Sequence, residues 1–417
     1  MRTLDVAWAR QQFPALQQEV NRYPAIFFDG PAGTQVPQSV IDAMTDYLVR
    51  ANANSHGAFA TSVRTDETIG EARAAMADLL GCDVAEVVFG PNMTTLTFTL
   101  SRALGRELQA GDEVVVTHLE HDANVAPWRA LEERGVVIRE VDFRVEDCTL
   151  DMVDLERQLN RRTRIVAVGY ASNAVGTIND VAGVVRLAHR VGALAFVDAV
   201  HYAPHGFIDV RALDCDFLVC SPYKFFGPHQ GALYGKHEHL ARLRPYKVRP
   251  CPEEVPERWE TGTKCHEALV GVTAAVNYLA ELGRRAQPDA GTRRAQLAAA
   301  YAAIQDYERH LAGQLITGLL EIPGLTFYGI KDLSRFAHRV PTVAVRLAGY
   351  TPRELAAYLG ERGIFTWHGN YYALSVTERL GVESTGGMLR IGLVHYNTAA
   401  EVERLLAALR ELPRRAG

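Results

Sequence analysis

A chain of 417 residues, 48% of them hydrophobic, carries enough apolar material for roughly two or three packed cores and excludes disorder as its main state. A formal net charge of -5 provides no overall basic field for nucleic acid or an anionic membrane, so a small anionic ligand needs a local site. No run of about 18 apolar residues suggests a membrane span, and the start MRTLDVAWARQQFPALQQEV lacks a secretory signal. Six cysteines (Cys82, Cys148, Cys215, Cys220, Cys251, Cys265) fall without metal-ligand spacing, which predicts reduced thiols, no bound metal and a cytoplasmic location.

From about residue 25 to 236, short apolar runs alternate with amphipathic segments. AIFF (25–28), EVVFG (86–90), EVVVT (113–117), VVIREVDF (136–143), RIVAVGYAS (164–172), ALAFVDAV (193–200) and FLVCS (217–221) read as buried strands. SVIDAMTDYLV, IGEARAAMADLL and DVAGVVRLAHR read as the intervening helices, so an α/β fold with a mostly parallel seven-stranded sheet is expected. The stretch RLRPYKVRPCPEEVPERWETGTK (242–264) is too rich in proline for a helix and reads as a long loop. Two helical patterns follow, beginning near His266 and Arg293. TVAVRLAG, GIFTW and MLRIGLVHYN as strands, with PRELAAYLGERG and AAEVERLLAALREL as helices, then predict a smaller α+β domain. The expected division is 20–285 for the large domain, with 1–19 and 286–417 forming the small one.

In an open α/β sheet, ligands bind beyond the carboxyl ends of the strands, so polar residues just after apolar runs are informative. GPNMTTLTFTL places Thr94 and Thr95 at a helix start where backbone N–H groups and hydroxyls suit a phosphate; an ordinary capped helix is the equal alternative. His121 follows a strand and could lie flat on an aromatic ring, although taken singly it reads better as structural. Asn173 ends another strand, and Asp198 and His201 end a fourth. A strand-end carboxylate needs a partner, which a pyridinium nitrogen or a turn can supply. Among five lysines only Lys224 directly follows an apolar strand, and desolvation there favours a neutral, nucleophilic amine. A buried stem with a snorkelling head is the alternative for Lys224 alone. No G-x-G-x-x-G follows a strand, which argues against a nucleotide-binding dehydrogenase.

The segments EHDAN, ASNAVG, VDAVH, SPYKFFGP, WETGT and LRIGLVHYNT together resemble the class V aminotransferase family of enzymes dependent on pyridoxal 5'-phosphate (PLP), in its cysteine desulfurase and selenocysteine lyase branch. The resemblance runs from FFDGPAGTQVP to the C-terminal helix and implies the fold type I of PLP-dependent transferases. It implies that Thr94, Thr95 and Ser221 hold phosphate, that His121 stacks on the ring, that Asn173 contacts the cofactor and that Asp198 pairs with the pyridinium nitrogen. Lys224 would form the Schiff base, and His201 stands where that branch commonly has Gln. A homodimer with shared sites would send Thr263 to the neighbouring phosphate, and Arg390 would hold the carboxylate of a small amino-acid substrate.

One departure concerns the loop GIFTWHGNYYA, where desulfurases carry a nucleophilic cysteine. Against the desulfurase pattern GIxxRxGxxC, Trp367 stands at the arginine position and Tyr372 at the cysteine position, so Trp367, His368, Tyr371 and Tyr372 suggest an aromatic wall around the substrate. With Lys224, His121 and Asp198 as the catalytic group, the favoured activity is β-elimination at a C–S bond of cysteine, cystine or a related sulfur amino acid. Epimerisation and transamination are the alternatives, and a non-catalytic PLP-fold binding protein is the reading from another class.

Overall fold

The computed structural model describes residues 4–413 and Arg415. Strands β1 (Val87–Gly90), β2 (Glu113–Thr117), β3 (Val137–Val141), β4 (Thr163–Gly169), β5 (Leu194–Asp198), β6 (Phe217–Cys220) and β7 (Gly231–Gly235) form one sheet. Their spatial order is β1-β7-β6-β5-β4-β2-β3, and only β7 runs antiparallel to its neighbours. Val115, Val166 and Val197 face one apolar cluster, while Val114, Val116, Ile165, Ala167, Phe196 and Val219 face another. Burial on both faces explains why these strands read as unbroken apolar runs rather than alternating ones.

Two expectations about this sheet need correction. AIFF does not belong to it: Ile26–Phe27 pairs in parallel with Ile364–Phe365, and Ile26 and Phe28 lie in the core of the smaller domain. Apolarity marked the run as buried but could not say against which sheet. The seventh place belongs instead to β7, whose sequence GALYG is a poor strand former. Its Gly231 has a packing reason, because a Cβ there would lie 2.4 Å from the Asn92 carbonyl carbon. That close approach lets β7 press against the start of the helix Met93–Leu104, one wall of the site.

Helix His266–Ala286 packs against Gln38–Arg50, Ala60–Leu80 and Arg293–Leu320. The last of these joins the two cores: Leu297 and Ile304 belong to the large cluster, Leu311, Leu315 and Leu319 to the small one. The small sheet contains β8 (Leu325–Tyr328), β9 (Thr342–Leu347), β10 (Trp367–Gly369) and β11 (Met388–Gly392), in the antiparallel order β8-β9-β11-β10. GIFTW is therefore two strands, broken at Thr366, and the break turns Trp367 into β10 beside Arg390. Residues 243–264 form the expected long loop, with a single short helical turn at Glu257–Trp259. Among the described residues no helix is long and apolar enough to cross a membrane.

Candidate active site

The carboxyl ends of β2, β4, β5 and β6 converge on a cavity of about 630 Å³. Its lining includes Thr94, His121, Asn173, Asp198, His201, Lys224, Trp367, Tyr372 and Arg390. Residues up to 359 positions apart, Pro31 to Arg390, thus meet in one place, between the main sheet and the small domain. Thr95, Ser221 and Thr263 lie outside that lining. Thr95 is exposed, and its N–H donates to Asn92 Oδ1 at 2.8 Å, the N-cap bond of the helix. Thr263 is exposed on the long loop.

Lys224 ends the short turn after β6, is 9% exposed and donates through Nζ to the carbonyls of Pro31 (2.5 Å) and Ala32 (2.8 Å). Burial, reinforced by the Arg390 charge, pushes its amine down to about 7, so the neutral form predominates above that pH. Asp198 closes β5; one oxygen accepts from the Val200 N–H at 2.9 Å. Burial pushes its carboxyl up to about 6 despite that bond and the nearby Lys224. A cationic partner would reverse this rise, and a protonated pyridine nitrogen is such a partner.

His121 accepts from the Ala123 N–H at Nδ1 (3.0 Å), which leaves the neutral ring's proton on Nε2, and burial pushes its pKa down to about 4. Its ring lies nearly parallel to that of Tyr372, with centroids 5.5 Å apart. His201 is also kept neutral by burial; its Nε2 is 3.0 Å from Thr342 Oγ1. Asn173 donates through Nδ2 to the Tyr371 carbonyl at 2.9 Å, while its buried Oδ1 has no partner. Arg390, 4% exposed on β11, donates from Nη1 to the Asn173 carbonyl at 2.8 Å. Its buried Nε is unpartnered, and burial lowers its pKa to about 10, where it stays a cation at neutral pH.

Several cavity residues escaped the sequence reading. Pro31 and Ala32 arrive from a loop remote in sequence, and Tyr223 places its ring 4.8 Å beneath Lys224 Nζ. Glu120 is fully buried at the cavity floor. It accepts from Thr117 Oγ1 (2.7 Å), Asn124 Nδ2 (2.7 Å) and the Gly169 N–H (2.8 Å), and burial, opposed by these bonds, leaves its carboxyl near 7. The rule of the polar residue after an apolar strand would have found Glu120. Asp29, just outside that lining and pushed by burial to about 6, directly follows AIFF and carries the same signal.

The loop bearing Tyr372 is a strained turn. Tyr371 and Tyr372 adopt consecutive left-handed conformations, with φ of 57° and 60°. Each costs on the order of 1–3 kcal/mol in a residue with a side chain and persists only where the surroundings over-determine it. Here Asp122 N–H donates to the Tyr372 carbonyl (2.7 Å), Ala373 N–H to the Asn370 carbonyl (2.7 Å) and Tyr372 N–H to Asn370 Oδ1 (3.1 Å).

The residues present fit PLP. Among the described residues, Ser221 Oγ and Asn173 Oδ1 are buried polar atoms without partners, Asp198 is a buried carboxylate outside any ion pair, and Lys224 offers a neutral amine. A phosphate, a ring hydroxyl, a pyridinium and an aldehyde are the matching groups.

The family model described as aminotransferase class-V matches residues 26–405. A cysteine desulfurase of Dickeya dadantii is 33% identical over 98% of this chain and 97% of its own. Among solved structures, the cysteine desulfurase from Thermococcus onnurineus superposes with a TM-score of 0.84 at 27% identity, covering 96% of this chain and 98% of that one. The cysteine desulfurase CsdA from Escherichia coli gives 0.83 at 27% identity, over 98% of each. The converging strand ends with their lysine and aspartate, and a match that runs through both domains, have one common explanation: this chain belongs to the aminotransferase class-V family, PLP-dependent enzymes of fold type I.

Proposed function

We propose that this enzyme cleaves the C–S bond of cysteine, cystine or a related sulfur amino acid by β-elimination, without a protein-bound persulfide. The observation that carries the reading is Tyr372. It stands 73% exposed on the cavity wall that also holds Arg390, and no cysteine lines that cavity. A phenol offers neither the nucleophilicity of a thiolate nor a route to a persulfide. Cys265, the one exposed cysteine, lies outside the lining, and partial burial with Glu267 nearby pushes its thiol above its ordinary pKa.

Bound PLP supplies an electron-withdrawing ring that stabilises negative charge developing at the substrate α-carbon. Lys224 provides the amine for the cofactor aldehyde; once free, the same neutral amine takes the proton from the substrate α-carbon. Asp198 would hold the proton on the pyridine nitrogen, and His121, neutral, would offer its face to the ring. Thr94, Thr95 and Ser221 would hold the phosphate, Thr263 would reach that of the neighbouring subunit, and Asn173 and His201 would contact the cofactor. Arg390 receives the α-carboxylate on its free Nε side, and Trp367 and Tyr372 bound the side chain that leaves as thiol or persulfide.

Product analysis tests this. With cysteine or cystine the enzyme should release pyruvate and ammonia in equal amounts, together with free sulfide or a small-molecule persulfide, and Cys265→Ser should leave the rate intact. Stoichiometric alanine with a persulfide trapped on Cys265 would sink the proposal.

The chain is further proposed to work as a cytoplasmic homodimer. Ile41, Leu48, Val49, Phe59 and Val63 expose apolar side chains along Gln38–Arg50 and the start of Ala60–Leu80, a concentration that suits an interface. Light scattering should give twice the 46.0 kDa chain mass, and the pair Val49→Glu with Phe59→Glu should yield monomer with reduced PLP content, because Thr263 then loses its target. A double variant that stays dimeric would refute the assigned surface.

A further inference from the structure

Arg390 is almost fully buried, yet no carboxylate lies within ion-pair distance of it among the described residues. The Asp29 carboxylate acts on its charge from beyond that distance, and two groups touch the guanidinium directly. The Asn173 carbonyl accepts one Nη1 bond, and the Tyr371 ring lies beneath the guanidinium, 4.3 Å from its central carbon. Tyr371 is itself immobilised: its hydroxyl donates to the Met388 carbonyl and its own carbonyl accepts from Asn173 Nδ2. Asn173, Tyr371 and Arg390 therefore close a ring of contacts. The left-handed turn at 371–372 is the conformation that brings the Tyr371 ring there.

We propose that Tyr371 is a positioning residue of the reaction, the aromatic platform that holds the Arg390 guanidinium in the plane where it receives the substrate α-carboxylate. Because the tyrosine hydroxyl is already engaged at Met388, the ring acts through its face and not as an acid. A buried guanidinium on an aromatic face keeps its charge without an ion pair, and its Nε side stays free for a two-point carboxylate contact. A carboxylate paired at contact distance would have competed with the substrate for the guanidinium, whereas Asp29 acts on it only from farther away. The inference rests on Arg390 as the carboxylate site.

The test measures dissociation constants for L-cysteine and for cysteamine, the same molecule without its carboxylate, from the change in cofactor absorption of the holoenzyme. Tyr371→Leu should weaken L-cysteine by roughly five- to thirtyfold and leave cysteamine and PLP content unchanged. Tyr371→Phe should stay close to the wild type, while pentafluorophenylalanine at 371, the same shape with a reversed ring face, should weaken L-cysteine selectively even if Tyr371→Leu does not fold. In an Arg390→Ala background neither replacement should have further effect. Equal weakening of both ligands, or none, would overturn the role of Tyr371 provided Arg390→Ala discriminates between them. If Arg390→Ala does not discriminate, the carboxylate assignment fails instead and takes the platform with it.

Discussion

Replacing Lys224 with alanine is expected to abolish turnover and the covalent cofactor link together. Loss of a positioned base alone costs on the order of 10²–10⁴ in rate. Here the same amine also anchors the cofactor aldehyde, so residual activity should fall below that range. Borohydride reduction followed by peptide mapping should place PLP on Lys224 in the wild type and nowhere in the variant. The environment of the lysine adds a pH signature. Its amine, lowered to about 7 by burial and Arg390, is protonated and unreactive below that value and neutral above it. Covalent capture of PLP by the apoenzyme should therefore accelerate as pH rises and level off above about 7, where an ordinary lysine would keep gaining up to its unperturbed value of about 10. A rate still climbing at pH 9, or PLP mapped to Lys236, Lys247, Lys264 or Lys331, would refute the assignment.

The second large effect is expected at Asp198. Asparagine preserves the shape and the bond from the Val200 N–H but removes the charge that would face the pyridinium. Removing one partner of a buried ion pair costs about 3–5 kcal/mol. At 1.4 kcal/mol per decade, that is roughly 10²- to 4 × 10³-fold in turnover. PLP should still bind through Lys224 and the phosphate contacts, so the visible absorption should persist with its protonation shifted. Near wild-type turnover for Asp198→Asn, measured at full PLP occupancy, would show that the carboxylate only caps a turn.

Much of the site could be read along the chain because β2, β4, β5 and β6 are buried on both faces. Such strands appear as unbroken apolar runs, and the first polar residues after each run must stand at the carboxyl edge of the sheet. His121, Asn173, Asp198 and Lys224 were found in this way, and all four line one cavity. Ser221, the first polar residue after β6, carries the same signal; Thr263 on the long loop carries none, and neither does Arg390, since an arginine inside a strand looks the same whether it faces substrate or solvent. They entered through the resemblance of whole segments.

What local pattern alone determined was the sequence of buried runs, amphipathic helices and strand ends, because burial and periodicity act between near neighbours. Tertiary structure alone decided which runs share a sheet. AIFF went to the small domain because its N–H groups meet the carbonyls of Gly363 and Phe365, and GALYG became a central strand because its glycine lets the chain approach Asn92. It also decided the double left-handed turn at Tyr371 and Tyr372. Two tyrosines have no intrinsic preference for that conformation; it exists because Asn173, Asp122 and Met388, each remote in sequence or on another element, supply the bonds that outweigh its strain.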